Sequence, residues 1–239
     1  MNEILRRAIL GAHLDEVDVA ARLEVDPKTV RRWLEGRLPH PRHRWNLADL
    51  LNLSEVDLWP ELRASPSRPD ELLAVYPHRS SIPRETWRNL FASAEQEISV
   101  LAYSSLFLAE DVDIIRIFAK KAHSGVRVRI ALGDPDSPHV TERGAKEAIG
   151  DALTVEIRDA LVLYQPLRQV GGIEIRLHRV VLYNSIYRAD NELLCNQHAF
   201  GIPAAHSPIM HLQRQSDDDL ASIYLGSFDR IWSAACRQT

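Results

Sequence analysis

The pattern of apolar residues changes at residues 63–70, and this change most constrains how the chain can fold. The segment contains two prolines, two serines and no apolar periodicity, which is typical of a linker. Before it, apolar residues recur at helical spacing, and after it short apolar runs alternate with helical segments. The sequence therefore predicts an all-α domain over residues 1–62, a linker over 63–84 and an α/β domain with a mixed sheet over 85–239.

Helices account for the whole pattern of the first domain. We predict them over residues 2–12, 15–23, 26–35, 44–51 and 54–58. Pro39 and Pro41 are expected to interrupt the pattern, so the fourth helix is predicted to begin only at Arg44.

The third predicted helix has clear signals at both ends. Asp26 is a favourable N-cap, Pro27 suits the first helical position, and Gly36 suits the residue just past the end. Its apolar stripe is formed by Val30, Trp33 and Leu34. The remaining faces are basic or carry a hydroxyl group, which favours contact with a polyanion.

A local basic patch surrounds this helix, although the chain has a net charge of -4. Between positions 28 and 44 the only acidic residue is Glu35, and the basic residues are Lys28, Arg31, Arg32, Arg37, Arg42 and Arg44. Such a patch on an acidic protein is typical of a module that docks on nucleic acid at one place. Ordinary solvated arginines are the alternative interpretation.

Residues 15–35 resemble the helix-turn-helix of phage-repressor-like (XRE) DNA-binding domains. The resemblance is carried by the small Ala20, the apolar Val25 of the turn, and the inward-facing Val30 and Trp33. The family usually has glycine in the turn where this chain has Glu24, which must then adopt a less favourable backbone conformation.

The resemblance implies that residues 26–36 enter the major groove of double-stranded DNA. Arg31 and Arg32 would read guanine, and Lys28 and Thr29 would reach a base edge or a phosphate. Phosphate contacts that set the register are expected from Arg37, Arg42 and Arg44. An all-helical protein-interaction module is the alternative.

The second domain is predicted to begin with a β-α-β unit. A strand over residues 98–102, a helix over 113–123 and a strand over 126–132 imply parallel pairing and a right-handed crossover. Further helices are predicted over 143–152, 160–167 and 218–236, and further strands over 173–177, 181–187 and 193–196. Residues 189–191 would form a hairpin turn.

Polar residues follow or lie on these strands, at the positions where α/β sheets commonly bind ligands. Strand alternation places Tyr183, Ser185 and Tyr187 on one face. The candidate ligand-binding residues are Tyr103, Asp134, Asp136, His178, Tyr183, Ser185, Tyr187, Arg188, Asn196 and His198. A loop cap at Asp134 and hydrogen-bonded core positions for the others are the structural alternative. Asp134 and Asp136 with a histidine are a weak metal signal and no phosphate-binding glycine loop is present, so we expect neither a cofactor nor a metal.

The order of elements over residues 85–239 resembles the phospholipase D-like fold. Active members of that family use His-x-Lys, four residues and then Asp; the histidine attacks phosphorus and the lysine holds the phosphate oxygens. In the matching segment, which ends at Asp190, Tyr183 replaces the histidine and Ser185 replaces the lysine. No His-x-Lys pair occurs anywhere in the sequence. The resemblance implies a catalytically degenerate domain and, because this fold commonly pairs two halves, a homodimer.

These features together indicate a sequence-specific DNA-binding transcriptional regulator whose second domain dimerises and binds a small-molecule effector. We assign no catalytic residue. A cytoplasmic location without a membrane partner is expected, because no apolar run approaches ~20 residues and no signal peptide is evident. The two cysteines are too few for a disulfide framework. The alternatives are a DNA-targeted nuclease or phosphodiesterase that uses His178 or His198, and a dimerisation module without a ligand.

Overall fold

The chain forms two compact units, Met1–Arg68 and Pro69–Thr239. The structure is a computed structural model, and it describes residues 1–64 and 71–237. Most of the predicted linker segment 63–70 therefore lies outside the described residues.

All the regular secondary structure described in the first unit is helical. The α-helices are α1 (Glu3–Gly11), α2 (Glu16–Arg22), α3 (Pro27–Leu34), α4 (Pro41–Leu51) and α5 (Glu55–Leu58), followed by a 3₁₀ turn over Pro60–Ala64. The five predicted helices are confirmed, but α4 begins three residues earlier than predicted. Pro41 occupies the first position of that helix, where the missing N–H of proline costs nothing.

The first unit has its own apolar core, which fixes the position of α3. Fully buried side chains come from each of the α-helices: Leu5, Val19, Val30, Leu47 and Leu58. The backbone amide of Asn2 donates to the carbonyl of Leu34 over 2.8 Å. The side-chain amide of Asn2 donates to the carbonyl of Leu58 over 2.9 Å. The start of the chain thus ties the end of α3 to the end of α5.

The described part of the second unit contains an eight-stranded mixed sheet in the order β1-β7-β6-β5-β2-β3-β4-β8. The strands are β1 (Leu72–Tyr76), β2 (Glu97–Ala102), β3 (Arg127–Gly133), β4 (Ile173–His178), β5 (Asn184–Ala189), β6 (Glu192–Gln197), β7 (Ile209–Gln213) and β8 (Cys236–Arg237). Strands β2, β3 and β4 pair in parallel, and the other neighbours pair antiparallel. The mixed α/β character predicted for this part of the chain is confirmed.

Six α-helices accompany the sheet in the described part of this unit: α6 (Arg84–Ser93), α7 (Leu106–Ala109), α8 (Val112–His123), α9 (Pro138–Lys146), α10 (Ala152–Leu163) and α11 (Leu220–Ala234). Helix α8 lies between β2 and β3 in the chain, so the predicted β-α-β unit with parallel strands is confirmed. Phe91, Phe118 and Phe228 bring α6, α8 and α11 into one buried core with the central strands.

The predicted hairpin turn links the two halves of the sheet. Asp190 lies between β5 and β6 with a φ of +50°. Its carboxylate accepts backbone N–H bonds from Glu95 (2.6 Å), Gln96 (2.9 Å) and Glu97 (2.7 Å). The hairpin turn therefore holds the start of β2 beside β5, which joins the antiparallel strands to the parallel ones.

Three predicted boundaries are wrong. Residues 72–76 of the predicted linker form strand β1, because a short, partly exposed edge strand gives a weak alternating pattern. The helix predicted over 143–152 spans a break, since Ala148 and Gly150 have φ values of +57° and +54° between α9 and α10. The strand predicted to begin at residue 181 begins at Asn184.

The helix predicted over residues 160–167 is also divided. Helix α10 ends at Leu163, and a 3₁₀ turn over Gln165–Gln169 follows, with Pro166 near its start. Proline cannot donate the next helical hydrogen bond, so it ends the α-helical pattern.

Among the described residues, no helix has the length and apolar character needed to cross a bilayer.

Candidate nucleic-acid interface and ligand pocket

Helix α3 is fixed at both ends by the residues that its sequence signals indicate. The carboxylate of Asp26 accepts the backbone N–H of Lys28 over 2.7 Å, and Pro27 is the first helical residue. Gly36 follows the helix with a φ of +108°, a backbone conformation that residues with a side chain rarely adopt. The inward stripe of Val30, Trp33 and Leu34 is buried.

The face opposite this stripe carries positive charge into solvent. Lys28, Arg31 and Arg32 are exposed, and Thr29 is half-buried. Arg31 lies 3.2 Å from a carboxylate oxygen of Glu16 on α2, in an exposed ion pair. In the part of the chain that the structure describes, Lys28 and Arg32 make no ion pair, so their charges remain available to a ligand.

The turn between α2 and α3 is short and well hydrogen-bonded. A capping box formed by Asp15 and Asp18 begins α2. The backbone N–H of Val25 donates to the carbonyl of Ala20 over 3.0 Å, and Ala20 is buried. Glu24 has a φ of +53°, the less favourable conformation expected from the absence of glycine at this position.

Arginines that follow α3 divide into two kinds. Arg37 and Arg42 are exposed. Arg44 is buried: its Nε lies 2.8 Å from a carboxylate oxygen of Glu55, and its Nη1 donates to the carbonyl of Pro39 over 3.0 Å. The prediction that Arg44 contacts phosphate is wrong, because this guanidinium joins the start of α4 to α5.

In the second unit, a cavity of about 100 Å³ lies where the chain leaves β2. Its polar or aromatic lining residues are Arg79, Tyr103, Ser104, Ser105, Arg143, Glu147, Glu156, Ser185, Tyr187 and His198. An adjoining cavity of about 340 Å³ shares Tyr103, Arg143 and His198, and it also includes the exposed aromatic rings of Tyr183 and Phe200. We call them the inner and the outer cavity.

A hydrogen-bonded pair lies on the wall of the inner cavity. Ser185 Oγ is 3.0 Å from His198 Nε2, and His198 Nδ1 is 3.1 Å from the carbonyl oxygen of Leu182. A carbonyl can only accept, so Nδ1 carries the proton and Nε2 accepts from the serine hydroxyl. Burial and the nearby charge of Arg143 lower the pKa of His198 to about 4, so the ring is neutral at pH 7.

Charged side chains surround this pair. Arg143 on α9 forms an ion pair with Glu147, which directly follows the last residue of that helix. Burial raises the pKa of Glu147 although the arginine lowers it. Arg79 stacks its guanidinium on the ring of Phe107, 4.1 Å from the ring centre. Glu156 accepts a hydrogen bond from Ser104 over 3.1 Å.

The structure brings only part of the predicted ligand-binding set together. Tyr103, Ser185, Tyr187 and His198 line the inner cavity, and Tyr183 lines the outer one. Arg188 does not belong with them, because strand alternation directs it to the opposite face. There it pairs with Glu97, whose carboxylate also meets Arg127 and Arg129.

The Glu97 cluster is a structural network rather than a binding site. Burial alone would raise the pKa of Glu97, but a hydrogen bond from Ser99 and the positive charges of the surrounding arginines lower it to about 2. The carboxylate is thus ionised and fully engaged at neutral pH.

Two more predicted ligand residues are internal. His178 is buried, its Nε2 lies 3.2 Å from the carbonyl of Ala102, and burial lowers its pKa to about 4. Asn196 donates from its side-chain amide to the carbonyls of Ser207 (3.2 Å) and Pro208 (3.1 Å), which positions the loop before β7. Neither side chain lines either cavity.

Asp134 and Asp136 serve the loop after β3. Asp134 accepts the backbone N–H of Asp136 over 2.9 Å and lies 3.7 Å from Arg179, so the loop-cap alternative is the correct one. The exposed Asp136 pairs with Arg158. Among the described residues, no three His, Cys, Asp or Glu side chains converge as a metal site.

Sequence reasoning missed the charged residues of the cavity. Arg143, Glu147 and Glu156 lie on or beside helices whose boundaries were predicted wrongly, and Arg79 lies within the predicted linker. The usable signal was Arg143 and Glu147 at i and i+4, the spacing of an ion pair on one helix face.

No protein-family model matches the chain, and no curated protein matches it in sequence. Among solved structures, the chain is similar to TrmBL2, an archaeal chromatin protein whose structure shows a novel mode of DNA binding. The identity is 16%, the TM-score is 0.44, and the match covers 88% of this chain and 66% of that one, just under two thirds of its length. It is also similar to Nuc from Salmonella typhimurium, a phospholipase D family member, at 17% identity and a TM-score of 0.41 over 69% of this chain and 95% of that one. Similarities at this level assign no function to the chain.

Proposed function

We propose that this protein binds double-stranded DNA in a sequence-specific manner through α3 and acts as a cytoplasmic transcriptional regulator. The observation that carries the proposal is the pairing of a buried apolar stripe with an exposed basic face on one short, doubly capped helix. Ala20 and Glu24 lie at the positions that the XRE helix-turn-helix uses for its close helix contact and its turn.

The dimensions of α3 suit the major groove. An α-helix with its side chains is about 10–12 Å in diameter, which is about the width of that groove in B-DNA. Thr29 and Arg32 are three residues apart and share one face of the helix. Arg32, which has no ion-pair partner among the described residues, is our choice for a bidentate contact with guanine. Arg31 is the second candidate for such a contact, because binding to DNA would have to replace its ion pair with Glu16.

Phosphate contacts are assigned to Lys28, Arg37 and Arg42. All three are exposed: Lys28 lies at the beginning of α3, Arg37 follows its end, and Arg42 lies in the first turn of α4. Contacts of this kind set the register of a protein on DNA and make its affinity depend on salt.

The second unit is proposed to dimerise and to bind a small-molecule effector in the inner cavity. Dimerisation would place two copies of α3 on a pseudopalindromic site. The effector would act as a switch only if it bound one arrangement of the dimer more tightly than another.

We further propose that the second unit is not a phosphodiesterase of the His-x-Lys type. Tyr183 and Ser185 occupy the positions where that chemistry needs its nucleophile and its phosphate-holding cation. The test is incubation of the intact protein with bis(p-nitrophenyl) phosphate and with supercoiled DNA, and we expect no turnover of either. Turnover that is lost in His198→Ala would instead support the nuclease alternative.

DNA binding is tested by selection from a library of random duplexes with the intact chain. We expect enrichment of one site. Arg32→Ala should weaken binding to that site at least about tenfold, as the loss of one bidentate base contact predicts, and change binding to unrelated DNA much less.

The matched control is Arg116→Ala, which removes an exposed arginine from α8 in the second unit. It should leave both affinities unchanged. Absence of any enriched site, or the same loss for both variants, would overturn the assignment of α3 as the recognition helix.

A further inference from the structure

The inner cavity has an arginine on its wall that forms no ion pair within the described residues, although its charge acts on Glu147 from a longer distance. Arg79 is half-buried, and its guanidinium stacks on Phe107. In the described ranges 1–64 and 71–237, no acidic side chain lies within ion-pair distance of it. Arg143, the other arginine of this wall, is already engaged with Glu147.

A carboxylate on the same wall also forms no ion pair with any cation in the described part of the chain. Glu156 is half-buried on α10 and accepts a hydrogen bond from Ser104. No lysine, arginine or histidine among the described residues lies within ion-pair distance of it. Arg79 and Glu156 thus line one small cavity with opposite charges, and they do not pair with each other.

We propose that the inner cavity binds a small zwitterion of the amino-acid type, with its carboxylate on Arg79 and its ammonium group on Glu156. A half-buried charge without an ion-pair partner is costly, and a ligand that carries both complementary charges relieves both costs at once. A simple anion would satisfy Arg79 only and would face the carboxylate of Glu156. A simple cation would have the reverse problem with Arg79.

The rest of the wall fits such a head group. The cavity of about 100 Å³ has the room of roughly three water molecules, enough for an ammonium and a carboxylate joined through one carbon atom. The neutral Ser185–His198 pair adds hydrogen-bonding capacity without charge. Any ligand side chain can extend towards the outer cavity, which shares Tyr103 with the inner one.

This inference names the effector class of the proposed regulator and therefore rests on the effector-binding role proposed for the second unit. The test uses the intact chain without DNA. Each standard amino acid is added separately at millimolar concentration, the thermal unfolding midpoint is recorded, and the affinity of the best binder is measured by calorimetry. The best binder is then compared with its two matched analogues, one without the ammonium group and one without the carboxylate.

We expect at least one amino acid to raise the midpoint. Each analogue should bind at least about tenfold more weakly, as the loss of a charge-assisted hydrogen bond predicts. Arg79→Gln and Glu156→Gln should cause losses of the same size. Arg158→Gln and Asp159→Asn, which alter exposed charges on the same helix as Glu156, should cause none. The two analogues test the proposal even where a cavity variant folds poorly.

No stabilisation by any amino acid would overturn the proposal, and so would an anionic analogue that binds as tightly as its parent. Duplex selection on the same preparation separates this outcome from failure of the proposed function. If DNA binding holds and no amino acid binds, the ligand class alone is wrong. If an amino acid binds and no duplex is enriched, the DNA-binding assignment alone is wrong.

Discussion

Ser185 Oγ lies 3.0 Å from His198 Nε2 and donates to it, because Nδ1 of the same ring carries the proton. The partner of Nδ1 is the carbonyl oxygen of Leu182 rather than a carboxylate. Among the described residues, no carboxylate is hydrogen-bonded to the ring, and burial together with the charge of Arg143 keeps its pKa at about 4. The pair is suited to hold a neutral donor and acceptor in place at neutral pH.

Removal of the Ser185 hydroxyl should destabilise the second unit. Ser185→Ala leaves His198 Nε2 without its donor in a buried position, which costs about 1–2 kcal/mol in the free energy of unfolding. Chemical denaturation of the intact chain measures the change. Ser124→Ala, at an exposed helix end, is the matched control and should change the free energy by less than about 0.5 kcal/mol. A change for Ser185→Ala as small as the one expected of the control would show that the pair contributes nothing to stability.

Stability should fall between about pH 6.5 and pH 4 because of the two buried histidines. Burial lowers the pKa of both His178 and His198 from 6.5 to about 4. In that window the unfolded chain takes up protons that the folded chain excludes, so the free energy of unfolding decreases as pH falls, by at most about 3 kcal/mol per histidine.

The pH effect is measured by denaturant titration at a series of pH values. His198→Gln should flatten the dependence, while His123→Gln, at an exposed position, should leave it as it is. Below about pH 4.5 a second loss is expected, because Glu97 has its pKa lowered to about 2 and gives up its ion pairs as it is protonated. An unchanged free energy of unfolding between pH 7 and pH 4 would contradict the burial of both rings.

Arg44→Met should lower stability without altering the salt dependence of DNA binding. Its guanidinium is buried against Glu55 and the carbonyl of Pro39, and the loss of one partner in a largely buried ion pair costs about 3 kcal/mol. Arg42→Ala should do the opposite: little change in stability, and a slope of log affinity against log salt that is smaller by about 1. If Arg44→Met reduced the slope of log affinity against log salt, Arg44 would have to contact DNA after all.

Glu24→Gly should stabilise the first unit. The residue has a φ of +53°, a conformation that costs a side-chain-bearing residue roughly 1–2 kcal/mol and glycine almost nothing. Allowing for the greater backbone entropy of unfolded glycine, we expect a gain of about 0.5–1 kcal/mol in thermal or chemical unfolding. Arg22→Gly, two residues earlier within α2, should instead lose about 1 kcal/mol. A loss at position 24 would mean that its side chain makes a contact worth more than the strain.

Features that depend on neighbouring residues could be predicted from the sequence, and features that depend on distant contacts could not. The ends of α3 were predictable, because Asp26, Pro27 and Gly36 act on their own helix. The edge strand β1 was not, because it is defined only by pairing with β7, far along the chain. The burial of Arg44 was likewise unpredictable, since its partner Glu55 belongs to another helix.

The candidate pocket shows the same division. Strand alternation correctly placed Ser185 and Tyr187 on one face, because the period of a strand is a local property. The same alternation predicts that Arg188, one residue after Tyr187, lies on the other face of the strand and outside the pocket. The charged wall could not be anticipated, since Arg79 and Glu156 meet at the cavity only through the tertiary fold.

The pairing of β1 with β7 determines where the protein can be cut. A fragment that begins at residue 85, as the sequence suggests, would lack Leu72–Tyr76 and leave the backbone of Ile209–Gln213 without its outer neighbour. An unpaired edge of that kind recruits other chains and promotes aggregation. Expression of the second unit by itself therefore requires a start before Leu72, so that β1 is present to cover the edge of β7.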